Sequence, residues 1–107
     1  DVVFEQQIKR VARTQALTIQ PILTYHQTTQ VLDLKFPLAL GHTPTDGEVL
    51  LFRPADLHKD RLFRLTLEGD SLQTIDLPDM DPGLWRIKLN WTSGGEEYYL
   101  EQSLMVN

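Results

Sequence analysis

The strongest constraint on the fold of this chain is the alternation of side chains near its end, where residues 81–106 read DPGLWRIKLNWTSGGEEYYLEQSLMV. Four large apolar residues stand two positions apart in this stretch: Trp85, Ile87, Leu89 and Trp91. Successive side chains of a β-strand point to opposite faces, so this spacing predicts a strand with one buried face. Gly94 and Gly95 predict a turn, and the pattern resumes at Tyr98, which indicates a β-hairpin. Gln102 interrupts the second strand and predicts either a bulge or the end of the covered region.

The same period of two runs through most of the chain. Further strands are predicted in LTIQPILTY (17–25), QVLDLKFPL (30–38), GEVLLFRP (47–54) and both halves of LFRLTLEGDSLQTIDL (62–77). Pro21 has no backbone N–H to donate to a neighbouring strand, so its strand is predicted at a sheet edge. The run 49–52 is apolar on both faces, which is typical of a central strand. Residues 62–77 are predicted to form a hairpin about Gly69 and Asp70.

The opening of the chain follows a helical period instead. Residues 2–16 contain no Gly or Pro, and a narrow apolar stripe runs through them at spacings of three and four: Phe4, Ile8, Val11 and Gln15. This pattern predicts a short amphipathic helix. Three cations lie close together in it: Lys9, Arg10 and Arg13.

Seven strands joined mostly by short turns predict a mainly β fold, an immunoglobulin-like antiparallel β-sandwich with a short N-terminal helix. A small barrel is the competing architecture. The sandwich is favoured because the central run is apolar on both faces and the strands are short. The expected organisation is a helix over 1–16 followed by a sandwich domain over 17–107.

Composition excludes several classes of function. The net charge of −5 argues against nucleic-acid binding, and the absence of cysteine excludes disulfides and thiol catalysis. No run of 18 apolar residues is present, so the chain as given predicts no transmembrane span. Its carboxylate pairs sit in loops or on opposite faces of a strand, and no nucleophile has a motif context. The sequence therefore predicts a protein that is not an enzyme.

One metal-site hypothesis follows from the predicted sandwich. Loops after the first, third and fifth strands share one end of such a fold, and they carry His26, His58 and Met80. Imidazole with thioether suits Cu(I), and imidazole with the carboxylates beside Met80 suits Zn²⁺ or Cu²⁺. Solvated loop side chains without a metal are the simpler interpretation, so the expected cofactor is none, with copper as the alternative.

Three other residues are candidates for partner binding. Arg53 ends the central strand, and pairing with Asp56 or Asp60 would fix the following loop. That structural role is favoured over ligand binding for Arg53 and Asp60. Tyr99 is predicted on the outer face of its strand and is therefore a candidate contact residue, whereas the two tryptophans are predicted to be core.

The order of several segments resembles the FixH family over nearly the whole chain. The matching segments are FEQQIKRVARTQAL, LDLKFP, GEVLLFRPADLHKD, GLWRIKLNW and EEYYLEQSLMV. The most specific element is a glycine-led strand into Arg-Pro with a following Asp, here Gly47, Arg53, Pro54 and Asp60. A later Gly-x-Trp, at Gly83 and Trp85, reinforces it.

The resemblance implies a bacterial inner-membrane protein with one N-terminal transmembrane helix and a soluble domain on the periplasmic side. A chain that begins at Asp1 rather than Met fits the loss of that helix, which would make the opening helix membrane-proximal with its cations facing lipid head groups. The implied role is a non-enzymatic accessory in maturation of cbb3-type cytochrome oxidase. The implied partners are oxidase subunits and a copper-transporting P-type ATPase. The alternatives are a periplasmic copper carrier and a carbohydrate- or peptide-binding sandwich that uses exposed aromatics such as Tyr99.

Overall fold

The computed structural model describes residues 1–36, 43–67 and 71–107. Within these residues, one α-helix precedes seven β-strands, and a 3₁₀ turn, Leu57–Lys59, lies between the third and fourth strands. The elements are α1 (Val2–Gln15), β1 (Ile22–His26), β2 (Val31–Lys35), β3 (Asp46–Phe52), β4 (Arg61–Arg64), β5 (Leu72–Asp76), β6 (Gly83–Ser93) and β7 (Glu96–Val106).

The strands form two antiparallel sheets, one of order β1-β2-β5 and one of order β4-β3-β6-β7. Buried side chains of both sheets belong to one hydrophobic cluster, which confirms the predicted mainly β sandwich. In the constant-type immunoglobulin order, the fourth strand joins the sheet of the first, second and fifth strands. Here β4 pairs with β3 in the other sheet instead.

The core is built from the inward face of each sheet, as the alternation predicts. All four alternating residues of β6 are buried, and so are Leu32 and Leu34 of β2. Trp91 stacks on Tyr98 with the ring centroids 5.2 Å apart, and it meets Phe36 edge-on at 5.1 Å. Such aromatic pairs stabilise a core beyond the area that they bury. Leu38 continues the alternation of Leu32, Leu34 and Phe36 in the sequence, but it lies outside the described residues.

The central position of β3 is confirmed, because β4 and β6 flank it. Val49 and Leu51 are fully buried between the sheets. On the outer face Leu50 and Phe52 are half-buried, and the Lys88 Nζ lies 4.7 Å from the centroid of the Phe52 ring. The cation and its aliphatic stem thus cover apolar surface on the outside of the sheet.

The predicted hairpin over residues 62–77 is wrong. β4 pairs with β3, whereas β5 pairs with β2 in the opposite sheet, so the chain crosses between layers after β4. Both sheets face the same core, and alternation shows only which residues point inward. The alternation does not show which of the two sheets a strand joins. The expected turn residues Gly69 and Asp70 lie outside the described residues.

The first strand is an edge strand, as Pro21 indicated, but it is shorter than predicted. Residues 17–20 instead form the segment that follows α1. The Gln20 side chain donates there to the carbonyls of Thr14 (2.7 Å) and Leu17 (3.0 Å). The Thr14 carbonyl already accepts from the Leu17 N–H at 3.1 Å, so the Gln20 amide supplies it with a second donor at the end of the helix. β7 keeps an unbroken register through Gln102, which pairs with Ile87, so it has no bulge there. Buried Leu104 and Val106 show that the covered region continues beyond it.

Candidate functional site

Two groups of polar contacts organise the surface of the sandwich. The first, which we call the loop clamp, joins the end of β3 to the loop before β6 through Arg53, Lys59, Arg61, Asp81 and Trp85. The second, the helix seam, joins α1 to β7 through Arg10, Arg13, Thr14, Glu96, Glu97 and Tyr99. Both contain residues that the sequence marks as candidates.

Arg53 is the centre of the loop clamp. Its Nη1 donates to the Asp81 carbonyl at 3.0 Å, and its guanidinium lies 5.7 Å from the Trp85 ring centroid. The Trp85 indole N–H donates to the same carbonyl at 2.9 Å. The predicted pairing of Arg53 with Asp56 or Asp60 is therefore wrong, because a backbone carbonyl and an aromatic face hold the guanidinium. Asp56 instead accepts from the His58 N–H and caps the 3₁₀ turn.

Gly83 is required by the same arrangement. Its φ is +121°, a conformation that residues with a Cβ rarely adopt, and a Cβ there would lie 3.1 Å from the Arg53 Nη2. The Arg-Pro element and the Gly-x-Trp element of the sequence therefore contact each other, because Arg53 lies against Gly83 and Trp85. This places Arg53 in a structural position, with its donors directed into the fold.

The outer side of the loop clamp carries both signs of charge. The Lys59 ammonium is paired with the Asp81 carboxylate, and Arg61 donates to the carbonyls of Pro78 (2.7 Å) and Asp79 (3.3 Å). The hydrogen bond from Lys59 is the main cause that lowers the pKa of Asp81 below its ordinary value. Together these bonds fix the β5–β6 loop against the β3–β4 loop.

The Lys59–Asp81 pair has a testable pH signature. Because the pKa of Asp81 is lowered in the folded state, the pair stabilises the fold above the ordinary aspartate pKa and ceases to do so as the pH falls through the folded value. We expect Lys59→Met to raise the Asp81 pKa, measured by carbon NMR of its carboxyl group. Lys35→Met, at an exposed position of β2, is the control. An Asp81 titration that is identical in wild type and Lys59→Met would contradict this assignment.

The candidate metal ligands occupy unlike environments. His26 lies at the exposed end of β1, where its Nε2 is 2.8 Å from the Asp33 Oδ2. His58 lines a shallow depression with Lys59 and Arg61. Met80 belongs to the hydrophobic core and is only 6% exposed. Among the described residues, no three His, Asp or Glu side chains come close enough together to hold a metal ion.

The helix seam is centred on Thr14, which is 2% exposed. Its hydroxyl accepts from the Tyr99 backbone N–H at 2.8 Å and donates to the Arg10 carbonyl at 2.8 Å. Two residues before Tyr99 on the same free edge of β7, the Glu97 carbonyl accepts from the Arg13 guanidinium. α1 therefore satisfies backbone groups of an edge strand that would otherwise face solvent.

Carboxylates of β7 hold the cations of α1. Arg10 pairs with Glu97, and the Arg13 Nη2 lies 3.1 Å from the Glu96 Oε2. Both guanidiniums are thus directed at the sheet. The Tyr99 hydroxyl donates to the Glu101 carboxylate at 2.9 Å, and burial, followed by this hydrogen bond, raises the Tyr99 pKa above its ordinary value. Tyr99 is half-buried beside the helix, and Asp60 remains exposed in its loop.

Removing the Thr14 hydroxyl tests this packing. We expect Thr14→Val to lower the free energy of unfolding by roughly 1–3 kcal/mol, because the isosteric side chain leaves the Tyr99 N–H buried without an acceptor. Urea denaturation measures the loss, and amide hydrogen exchange should show faster exchange at Tyr99. Thr24→Val, at an exposed position of β1, should change stability by less than about 0.5 kcal/mol. Equal stability of the two variants would show that α1 is not held through this bond.

The predicted helix is present, but the first half of its apolar stripe does not pack on the sheet, whereas Val11 is half-buried. Thr14 and its neighbours on the polar side of α1 face β7, while Phe4 is 64% exposed and Ile8 is 51% exposed. Val2 and Val3 are exposed beside them. The outer surface of α1 is therefore apolar at its beginning. No helix in the described part of the chain is both long enough and apolar enough to cross a bilayer.

Sequence reasoning missed the contacts on which both groups depend. The acceptor for Arg53 is a backbone carbonyl, which no residue type reveals. Thr14 lies on the polar side of the helix, one residue before the last position of the apolar stripe, and nothing in its neighbours distinguishes it. One signal was available: Glu96 and Glu97 complement the cations of α1, and this complementarity favours a helix packed against β7 through its charged side.

The fold and its surface contacts together define a small β-sandwich domain with a helix packed against the edge strand β7. A family model described as FixH matches residues 1–105, so the chain belongs to the FixH family. No curated protein and no solved structure matches the chain significantly.

Proposed function

We propose that this chain is a non-enzymatic accessory protein in maturation of cbb3-type cytochrome oxidase, acting with a copper-transporting P-type ATPase. Its sandwich lies on the periplasmic side of the bacterial inner membrane in this proposal. The observation that carries it is the family match over residues 1–105. The role attributed to the family is one of assembly, which requires contact with membrane proteins.

The surface of α1 supports a role through contacts. Its first turns expose Val2, Val3, Phe4 and Ile8, each more than half exposed, and Phe4 and Ile8 lie one turn apart on the same face. Contiguous exposed apolar side chains are a feature of surfaces that bind other proteins or membranes. The start of α1 is also the part of this domain that would lie nearest the bilayer if a transmembrane helix precedes it. We therefore assign the apolar stripe of α1 as the surface that meets the membrane-embedded partners.

The cations of α1 contribute less to this surface than the sequence suggested. Arg10 and Arg13 are engaged by β7, so Lys9 is the member of the cluster for which no ion pair is found among the described residues. One lysine supplies little attraction to anionic lipid, about 1 kcal/mol near a charged membrane surface. Apolar contact, more than head-group attraction, is accordingly the proposed basis of binding.

Direct copper carriage is the less favoured function. A Cu(I) site at His26, His58 and Met80 would require the Met80 thioether to leave the core. Cu(I) titration against a competing chelator tests this alternative. Affinity that falls in both His26→Ala and Met80→Ala would establish a metal site and replace the proposed role.

A pull-down from membranes with the full-length protein tests the proposal. We expect recovery of oxidase subunits or the ATPase with wild type, and at least a tenfold loss with the double variant Phe4→Glu, Ile8→Glu, because each buried carboxylate costs about 1 kcal/mol or more at an apolar contact. Leu62→Glu is the matched control, since Leu62 of β4 is 61% exposed on a different part of the domain. Consistent recovery of neither partner by wild type would overturn the proposed function.

A further inference from the structure

The contacts that hold α1 against β7 are mostly polar. Within this helix, all of which belongs to the described part of the chain, Thr14 is the one buried residue. Its hydroxyl accepts from the Tyr99 N–H, and the guanidiniums of Arg10 and Arg13 bond to the beginning of β7. Helices in proteins usually owe most of their stability to the packing of an apolar face. Such packing contributes little to the docking of α1.

The ion pairs of the helix seam are open to solvent. The side chains of Glu97 and Glu96 are 56% and 58% exposed, and those of their partners, Arg10 and Arg13, are 29% and 32% exposed. Ion pairs in such positions contribute little to stability, because water screens them and two long side chains lose freedom when they pair. The docking of α1 therefore depends on one buried hydroxyl and on charge pairs that are weakened by solvent.

The helix is also too short to be stable by itself. It has 14 residues, and isolated helices of fewer than about 12–15 residues are marginal in water even when their sequence favours them. The exposed side chains of Phe4 and Ile8 do not compensate, because they pack on nothing in the described part of the fold. A helix that leaves β7 in water should therefore also lose the hydrogen bonds that protect its own amides.

The segment that follows α1 is, by contrast, anchored to the sandwich. Leu17 packs against the hydrophobic core, and Pro21 is buried just before β1. Between Thr14 and Leu17, both Gln15 and Ala16 are exposed. The hydrophobic cluster of the described residues contains no side chain of α1. The chain can therefore pivot at these two exposed residues while the core stays intact.

We propose that α1 detaches from β7 as a unit while both sheets stay folded, so that the docked helix is a removable cover over the beginning of the β7 edge. Detachment breaks the Thr14–Tyr99 hydrogen bond and releases the Arg10 and Arg13 guanidiniums from their carboxylates. Backbone groups of β7 then become open, and the cations of the segment become available beside its apolar stripe. Such a movement is independent of the partner that the stripe meets in the proposed function.

Two neighbouring amides of β7 distinguish this movement from unfolding of the whole domain. The Tyr99 N–H bonds to Thr14 of α1. Leu100 pairs with Leu89 of β6, and the alternation of an antiparallel ladder directs the Leu100 N–H to that strand. The Tyr99 amide is therefore exposed when α1 detaches, whereas the Leu100 amide is exposed when the sheet itself opens.

Native-state hydrogen exchange of the 107-residue chain, followed by NMR at low urea concentrations, tests the proposal. After correction for intrinsic rates, we expect the amides of Val11, Ala12 and Tyr99 to exchange roughly tenfold or more faster than those of Leu89 and Leu100. Exchange of the first group should depend weakly on urea, because detachment exposes little surface, and exchange of the second group should depend on it steeply.

Two results of this experiment would overturn the proposal. If the amides of α1 or of Tyr99 exchange at the rate of Leu100 and with its urea dependence, α1 leaves β7 only when the domain unfolds. If the amides of α1 show no protection at all, the helix is not docked in solution.

Removing one carboxylate tests whether the ion pairs hold the cover in place. Glu97→Gln leaves Arg10 without its partner and should speed exchange of Ala12 and Tyr99 roughly threefold at low salt. Added salt should reduce the difference from wild type, because it screens the same pair. Asp76→Asn removes a carboxylate from the exposed end of β5 and should leave these rates unchanged. Equal rates in the two variants would contradict the assignment of this ion pair to the docking of α1.

Discussion

Trp85→Ala should destabilise the domain by about 3–5 kcal/mol, the range found when a buried large aromatic is truncated. Trp85 is 1% exposed, and it also holds the Asp81 carbonyl and the Arg53 guanidinium. The substitution thus opens a cavity and removes the surface on which the loop clamp is built. In thermal unfolding the loss corresponds to a fall in Tm of more than about 10 °C for a domain of this size.

Trp85→Phe separates the two contributions. It keeps an aromatic ring beneath Arg53 but removes the indole N–H, so we expect a smaller loss of about 1–2 kcal/mol. Leu84→Ala, at the neighbouring outward position, should change stability far less because Leu84 is exposed. Urea denaturation measures all three. A Trp85→Ala variant as stable as Leu84→Ala would show that the loop clamp contributes nothing to the fold.

Gly47→Ala is expected to cost about 2–3 kcal/mol, at the upper end of the usual range for overpacking. A Cβ at Gly47 would lie 2.6 Å from the Asn90 carbonyl oxygen and 2.9 Å from the Leu65 Cδ2. The leucine can rotate away, but the carbonyl belongs to the backbone of β6. Relief therefore requires β3 and β6 to separate at the start of their ladder.

Gly94→Asn is the matched control for Gly47→Ala. Gly94 lies in the β6–β7 turn with φ +57°, and a Cβ at this position would have no atom of the described residues within 4 Å beyond its chain neighbours. Asparagine tolerates this left-handed conformation better than other residues, so we expect little change. Urea denaturation of both variants distinguishes close approach from turn geometry. If Gly47→Ala proves as mild as Gly94→Asn, then β3 and β6 are not packed as closely as described.

The layers of this fold could be predicted from the sequence because buried and exposed side chains alternate along each strand. Trp85 and Trp91 of β6, and Leu32 and Leu34 of β2, alternate with polar residues and are buried as predicted. The pairing of one strand with another produces no such pattern in the sequence. The crossing between β4 and β5 was missed because both strands point apolar residues into one core, whichever sheet they join.

Apolar periodicity likewise could not predict which side of α1 packs against β7. A stripe of Phe4 and Ile8 would by itself favour packing through that side, yet hydrogen bonds of Thr14 and ion pairs of Arg10 and Arg13 hold a different face of α1 against β7. These polar contacts satisfy an edge strand whose position depends on the whole fold. For the same reason, the sequence marked Arg53 as a residue that fixes its loop but assigned it the wrong partner.

The exposed stripe of α1 is the proposed working surface of this protein, and site-specific photo-crosslinking in membranes probes that surface without disturbing the fold. The full-length protein would carry a photoreactive phenylalanine analogue at Ile8 in one sample and at Leu62 in another. We expect cross-links from position 8 to an oxidase subunit or the copper-transporting ATPase, and none to them from position 62. Cross-links to these proteins from position 62 alone, or from neither position, would show that the stripe is not the surface that meets them.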